Sequence, residues 1–158
     1  MTAAVLGVGN LARSDDGLGI HAVRRLGERY RLGPGVELID GGTAGLALLP
    51  RLAGLSRVLV IDAVDSGSEP GTLVRLEAGD WEEALGRGGS VHAVGLADLV
   101  AAARLGGALP ALLVVHGAQP ASTAIGAELT APLAAVLDGL VDRVAGELSS
   151  WGVETALG

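Results

Sequence analysis

A chain of 158 residues with a formal net charge of −7 and a pI near 4.8 lacks the basic face that a nucleic-acid partner requires, and it contains no lysine. Without cysteine it has no disulfide framework, no thiolate nucleophile and no thiolate metal site. With no phenylalanine and only 2% aromatics, the core of the one domain expected over 1–158 must be built from Leu, Val, Ile and Ala.

The first element is strand-like. The opening 1-MTAAVLGVGN-10 has no basic n-region and runs straight into the apolar stretch 3-AAVLGVG-9, so no signal peptide is expected. From Gly17 onward Ile20, Val23, Leu26 and Gly27 recur at helical spacing, with Arg24, Arg25 and Glu28 opposite. Gly33-Pro34-Gly35 is expected to stop that helix. Three more apolar runs, 36-VELID-40, 57-RVLVIDAV-64 and 111-ALLVVHG-117, read as strands buried on both faces because they are nearly continuous. The alternating 72-TLVRLE-77 follows the turn-rich 65-DSGSEPG-71 and reads as an edge strand, antiparallel to the rest. Helical periodicity returns in 93-AVGLADLVAAARLGG-107 and in 131-APLAAVLDGLVDRVAGELSSW-151. No apolar run approaches the roughly 20 residues of a membrane span, so neither a membrane nor a nucleic acid is an expected partner. A cytoplasmic protein is the expectation. Strand and helix alternate, which predicts an α/β sandwich with a mostly parallel sheet.

The stretch 7-GVGNLARSDDGLG-19 admits two readings. Gly7, Gly9 and Ala12 satisfy a loose dinucleotide-binding pattern after a strand, and Asp40 ends a later strand where a ribose-binding acid would lie. Against this, 13-RSDDG-17 delays the helix and sets carboxylates at its entrance, where they would repel a pyrophosphate that needs bare amides. The glycines then serve as tight-turn residues that aim the acids over the sheet.

In parallel α/β sheets ligands gather at the carboxyl ends of strands, where strand order reverses. Asp16 lies just beyond the first strand, Asp62 closes 58-VLVI-61, and His92 stands directly before a helix. If the strands before Asp16 and Asp62 are neighbours, the two acids face each other across one crevice. Two carboxylates and an imidazole suit a borderline divalent ion such as nickel or zinc. Each residue also has a plainer role. Asp15 reads as a helix N-cap, Asp62 as the first strand residue to reach water, and His92 as a turn residue. His21 and His116 read as surface or packing residues. Ser90 has no ordered acid–base partner and no nucleophile elbow around it.

The combination of 5-VLGVGNLARSDDGLGIHAVRRL-26, 37-ELIDGGTAGLALLP-50, 58-VLVIDAVDSGSEPGTLVRLE-77 and 90-SVHAVGLADLV-100 resembles the [NiFe]-hydrogenase maturation proteases, with a looser match over 113-LVVHGAQPASTAIGAELTAPL-133. These are the endopeptidases that trim the C-terminus of the hydrogenase large subunit. The resemblance implies a three-layer α/β/α sandwich with a mixed, mostly parallel sheet of about five strands. It implies that Asp16, Asp62 and His92 form the metal-contacting catalytic set, that Asp40 helps to recognise the precursor, and that Gly41 and Gly42 let the substrate backbone come close. Gln119 departs from the family, whose members often carry an acid before that proline.

By the same resemblance the metal is nickel already installed in the substrate, with no permanently bound cofactor, and the partner of a monomeric enzyme is the [NiFe]-hydrogenase large-subunit precursor. The ion either positions the precursor and polarises the scissile carbonyl or a water, with one carboxylate as general base, or it is only sensed. The rival readings are a nucleotide-binding module on Gly7, Gly9 and Asp40, a non-catalytic nickel-sensing scaffold, and an unrelated aminopeptidase or nucleoside phosphorylase on the same fold.

Overall fold

Each apolar run forms a strand. The computed structural model describes residues 2–77, 103–107 and 109–158. Its elements are β1 (Ala3–Val8), α1 (Leu18–Arg29), β2 (Tyr30–Leu32), β3 (Val36–Gly42), α2 (Leu49–Leu52), β4 (Arg57–Ala63), β5 (Leu73–Glu77), β6 (Leu112–Ala118), α3 (Ala131–Ser150) and β7 (Thr155–Leu157). Five strands make one sheet in the order β3-β1-β4-β6-β5. The first four are mutually parallel, and β5 pairs antiparallel with β6 at the edge. Every residue of β1 is buried, as is all of β4 and β6 past the first residue. That double burial is why these runs are continuous rather than alternating.

Strand parity sorts the core into two layers. Val5, Leu59, Ile61 and Val114 meet Leu18, Ala22 and Leu26 of α1 and Leu133, Leu140 and Val144 of α3. Leu6, Val58, Val60 and Val115 point the other way and meet Leu48 and Leu52. The sheet is thus covered on both sides, a three-layer α/β/α arrangement. Arginines on the outer side of α1 reach across to α3, Arg25 to Asp138 at 2.7 Å and Arg29 to Asp142 at 2.8 Å. These pairs are solvent-exposed and add little stability singly, but they set the rotation of one helix against the other.

The end of α1 differs from the sequence-based expectation, and the cause is local. Helix α1 ends at Arg29, four residues before Gly33, because Tyr30 leaves in an extended conformation and β2 pairs antiparallel with β7. Each strand of that ribbon is three residues long, too short to give an alternation. The helix expected over 93–107 lies mostly outside the described residues; of it, 103–105 are helical and the paired glycines turn the chain.

Helix α1 sits unusually close to the sheet. A Cβ on Gly19 would stand 2.2 Å from the Ile61 carbonyl oxygen and 2.4 Å from that of Val8, and one on Gly7 would stand 2.3 Å from the Gly19 carbonyl oxygen. Backbone on both sides leaves nothing free to yield. Gly19→Ala is therefore expected to cost about 2–3 kcal/mol, read as a lowered midpoint of urea unfolding. An unchanged midpoint would show that α1 can lift off the sheet.

Candidate active site at the strand-order reversal

From β1 the chain passes to β3 on one side, whereas from β4 it passes to β5 and then β6 on the other. The carboxyl ends of β1 and β4 consequently border the crevice where α/β sheets bind ligands. Asp62, the penultimate residue of β4, is 3% exposed. Its neighbours Ile61 and Ala63 face α1 and α3, so its side chain falls on the opposite layer. Its Oδ1 accepts the Ala63 N–H at 2.8 Å, while its Oδ2 is buried with no hydrogen-bond partner. Burial, and then the charge of Asp16, holds the Asp62 carboxyl well above the usual range; the Ala63 bond works weakly the other way. The charge of Asp16 is thus felt at Asp62.

Asp16 reaches that position on a short 3₁₀ turn, Ser14–Gly17. Its Oδ2 accepts the Asn10 N–H at 3.0 Å, and its carbonyl accepts the same N–H at 3.2 Å. The turn can close this tightly because Gly9 has φ of +134° and a Cβ there would lie 1.9 Å from the Asp16 carbonyl oxygen. The same closure removes the phosphate-loop alternative. The Gly9 amide is given to Gly42, Asn10 to Asp16, Ala12 to the Asn10 side chain, and residues 13 to 16 to other carbonyls. Few amides remain for a pyrophosphate.

Asp15 does not cap α1, whose N-cap is Gly17 with no side-chain bond. It is fully buried and accepts the amides of Ala121 at 2.8 Å, Ser122 at 3.2 Å and Thr130 at 2.8 Å, and the Thr130 hydroxyl at 2.7 Å. Burial pulls its pKa upward, yet the four donors together hold it below the ordinary value. The turn bearing Asp16 is thereby stapled to the segment between β6 and α3. No sequence pattern signalled this residue's partners, which lie more than a hundred positions away.

The other expected site residues are placed as follows. Asp40 is exposed on the α1 side of β3 and pairs with Arg24 at 3.1 Å. The position a Gly41 Cβ would take is crowded by Leu6, Gly7 and Leu48, whereas Gly42, at φ of +50°, faces open space. His92 and Ser90 lie outside the described residues. His21 is half-buried. His116 is buried, and its Nε2 lies 3.0 Å from Glu147 Oε1, which Arg75 also engages. Gln119 is buried as well. Its Oε1 accepts the amides of Ser66 and Ser68, and its Nε2 donates to Asp65. A neutral amide here does what an acid could not, since it must donate to a carboxylate.

Among the described residues no three His, Asp or Glu side chains converge on one point. The pair Asp16–Asp62 nevertheless fits a divalent ion. A cation there would give the orphaned Oδ2 a partner and cancel the repulsion between like charges.

An α/β/α sheet with two carboxylates at its switch point carries the acid–base groups that a hydrolase needs. The family model described as hydrogenase maturation protease matches residues 20–147. The hydrogenase expression/formation protein HupD of Rhodobacter capsulatus is 38% identical over 98% of this chain and 74% of its own length. The hydrogenase 2 maturation protease of Escherichia coli K12 is 35% identical over 98% of this chain and 94% of its own. The solved structure of the hydrogenase maturating endopeptidase HybD from E. coli superposes with a TM-score of 0.88 at 33% identity, covering 99% of this chain and 98% of that one. The chain belongs to the hydrogenase maturation protease family. It is an endopeptidase of hydrogenase maturation. No helix among the described residues is long and apolar enough to cross a membrane.

Proposed function

We propose that the protein removes the C-terminal peptide of a [NiFe]-hydrogenase large-subunit precursor once nickel has been inserted, and that Asp16, Asp62 and His92 take hold of that nickel. The observation that carries the reading is the buried Asp62 Oδ2, which has no partner and lies close to the charge of Asp16. A metal-free centre of this kind is electrostatically incomplete, and the precursor's own ion completes it. Nickel held there fixes the tail beside the carboxylates and polarises the scissile carbonyl or a water. A carboxylate oxygen takes the proton of the attacking water and delivers it to the leaving amine. Asp40, at the open rim beside Gly42, contacts the body of the precursor.

The test is the intact mass of a large-subunit precursor from the same organism after incubation with the enzyme, with and without nickel loading. Loss of a C-terminal peptide from the loaded form alone is the expected result. Cleavage of both forms would refute nickel dependence, and cleavage of neither would favour a scaffold that binds without cutting. Asp16→Asn separates the two roles of the site: retained binding without cleavage marks the acid as catalytic, and loss of both marks it as the nickel sensor.

A further inference from the structure

Gln119, the residue after β6, is 7% exposed although glutamine is mostly a surface residue. Its backbone prolongs the pairing with β5: its N–H donates to the Thr72 carbonyl at 2.9 Å, and its carbonyl accepts the Gly71 N–H at 2.9 Å. With the strand continued in this way, alternation sends its side chain to the face that Val115 shares with Val60 and Val64. Asp62 stands on that same face, in register with Gly117, two residues before Gln119. Both ends of the Gln119 amide are engaged. Oε1 accepts the Ser66 N–H at 2.8 Å and the Ser68 N–H at 3.2 Å. Nε2 donates to Asp65 Oδ1 at 3.1 Å and to the Pro120 carbonyl at 3.3 Å. The chain leaving β4 is thus tied, from the third residue after Asp62, to the start of the segment between β6 and α3. Just past Pro120, Ala121 and Ser122 give their amides to Asp15 in the turn that carries Asp16. One short run, 119–122, therefore grips both arms of the carboxylate pair.

We infer that Gln119 is a positioning residue for cleavage: it fixes the end of β4, and with it Asp62, against the segment that clamps the Asp16 turn. This rests on the reading of Asp16 and Asp62 as the cleavage centre. Val64, whose N–H donates to the Ala118 carbonyl at 3.0 Å, closes the pairing of β4 with β6. Beyond it the Gln119 side chain gathers the amides of Ser66 and Ser68 and the carboxylate of Asp65 on one point. Because the amide is buried and bonded at both ends, its orientation is fixed before any precursor arrives. Releasing these bonds lets the end of β4 fray, and the buried Asp62 carboxyl then shifts relative to Asp16. A shift of about 1 Å at a reacting group costs on the order of a hundredfold in rate. Gln119 acts by placing Asp62 and exchanges no proton itself.

Steady-state cleavage of the nickel-loaded precursor by wild type, Gln119→Ala, Gln119→Glu and the double variant Gln119→Glu/Asp65→Asn tests this, below the melting temperature of every protein compared. Gln119→Glu keeps the acceptor for Ser66 and Ser68 but sets a carboxylate against Asp65, and Asp65→Asn returns a donor to that pair. Both single variants are expected to lose about tenfold to a hundredfold in kcat, with KM nearly unchanged. The double variant is expected to regain most of the kcat that Gln119→Glu loses, a recovery that a loss of packing would not give. A kcat for Gln119→Glu within about twofold of wild type, well short of a displaced reacting group, would overturn the inference. So would a change confined to KM, or a double variant no faster than Gln119→Glu. Failure of the wild type to cut the loaded precursor would overturn the cleavage-centre reading itself, which sets that result apart from a failure of positioning.

Discussion

Asp62→Asn is expected to abolish cleavage and to make the protein more stable. The asparagine oxygen can keep the Ala63 N–H bond, and the substitution takes a second negative charge away from the surroundings of Asp16. Removing a buried carboxyl whose ionisation is opposed by burial and by Asp16 should add roughly 1–2 kcal/mol above the pH at which it ionises, while the loss of one carboxylate from the pair should reduce turnover by at least about a hundredfold. The pH dependence carries a definite sign. Asp62 has a raised pKa in the folded protein, so the folded state holds this proton more tightly than the unfolded chain. Its stabilising contribution is present below the ordinary carboxylate value and is lost as the pH rises through the raised one. Urea unfolding with a chelator present should show this decline in the wild type and not in the variant. A variant that cuts normally, or that unfolds more easily than wild type, contradicts the assignment.

Asp15→Ala should have the largest effect on stability. It strands three amides and a hydroxyl that now share one buried carboxylate, at roughly 3–4 kcal/mol. For a chain of this size that lowers the melting temperature by about 10 °C. Because Asp15 has a depressed folded pKa, its contribution is present above the ordinary carboxylate value and disappears as the pH falls through the depressed one. The difference between wild type and variant should therefore shrink in acid. Cleavage should suffer at temperatures where the variant is still folded, since the turn bearing Asp16 is released from the segment between β6 and α3. A variant with unchanged melting would mean that water replaces the carboxylate at its four donors.

The sheet was legible because its strands are buried on both faces, and double burial writes itself as unbroken apolar runs such as 58-VLVI-61. Asp62 was legible for a related reason, being the first carboxylate after such a run. The expectation that the strands before Asp16 and Asp62 are neighbours is met by the parallel pairing of β1 with β4. What escaped depends on partners distant in sequence. Asp15 resembles any helix-entrance acid until Ala121, Ser122 and Thr130 are brought to it. His116 reads as an ordinary packing residue until Glu147 and Arg75 meet it across the sheet and α3. The β2–β7 ribbon joins two three-residue segments with no pattern of their own. Gln119 stood out only as a departure from the family, and its bonds to Asp65, Ser66 and Ser68 give the departure a physical sense.

The clamp on the Asp16 turn joins positions 106 to 115 residues apart. During synthesis the glycine-rich turn leaves the ribosome early, and its clamp leaves with the last quarter of the chain. Until then Asp15 is an exposed acid with no amides to hold, and the loop that aims Asp16 has no fixed shape. Such distant pairings form late in folding because they close the longest loops. A chain that has been made only as far as residue 120 lacks every donor of the clamp, and one that reaches Thr130 has them all. The aim of Asp16, near the start of the sequence, is in this way an attribute of the late residues 121–130.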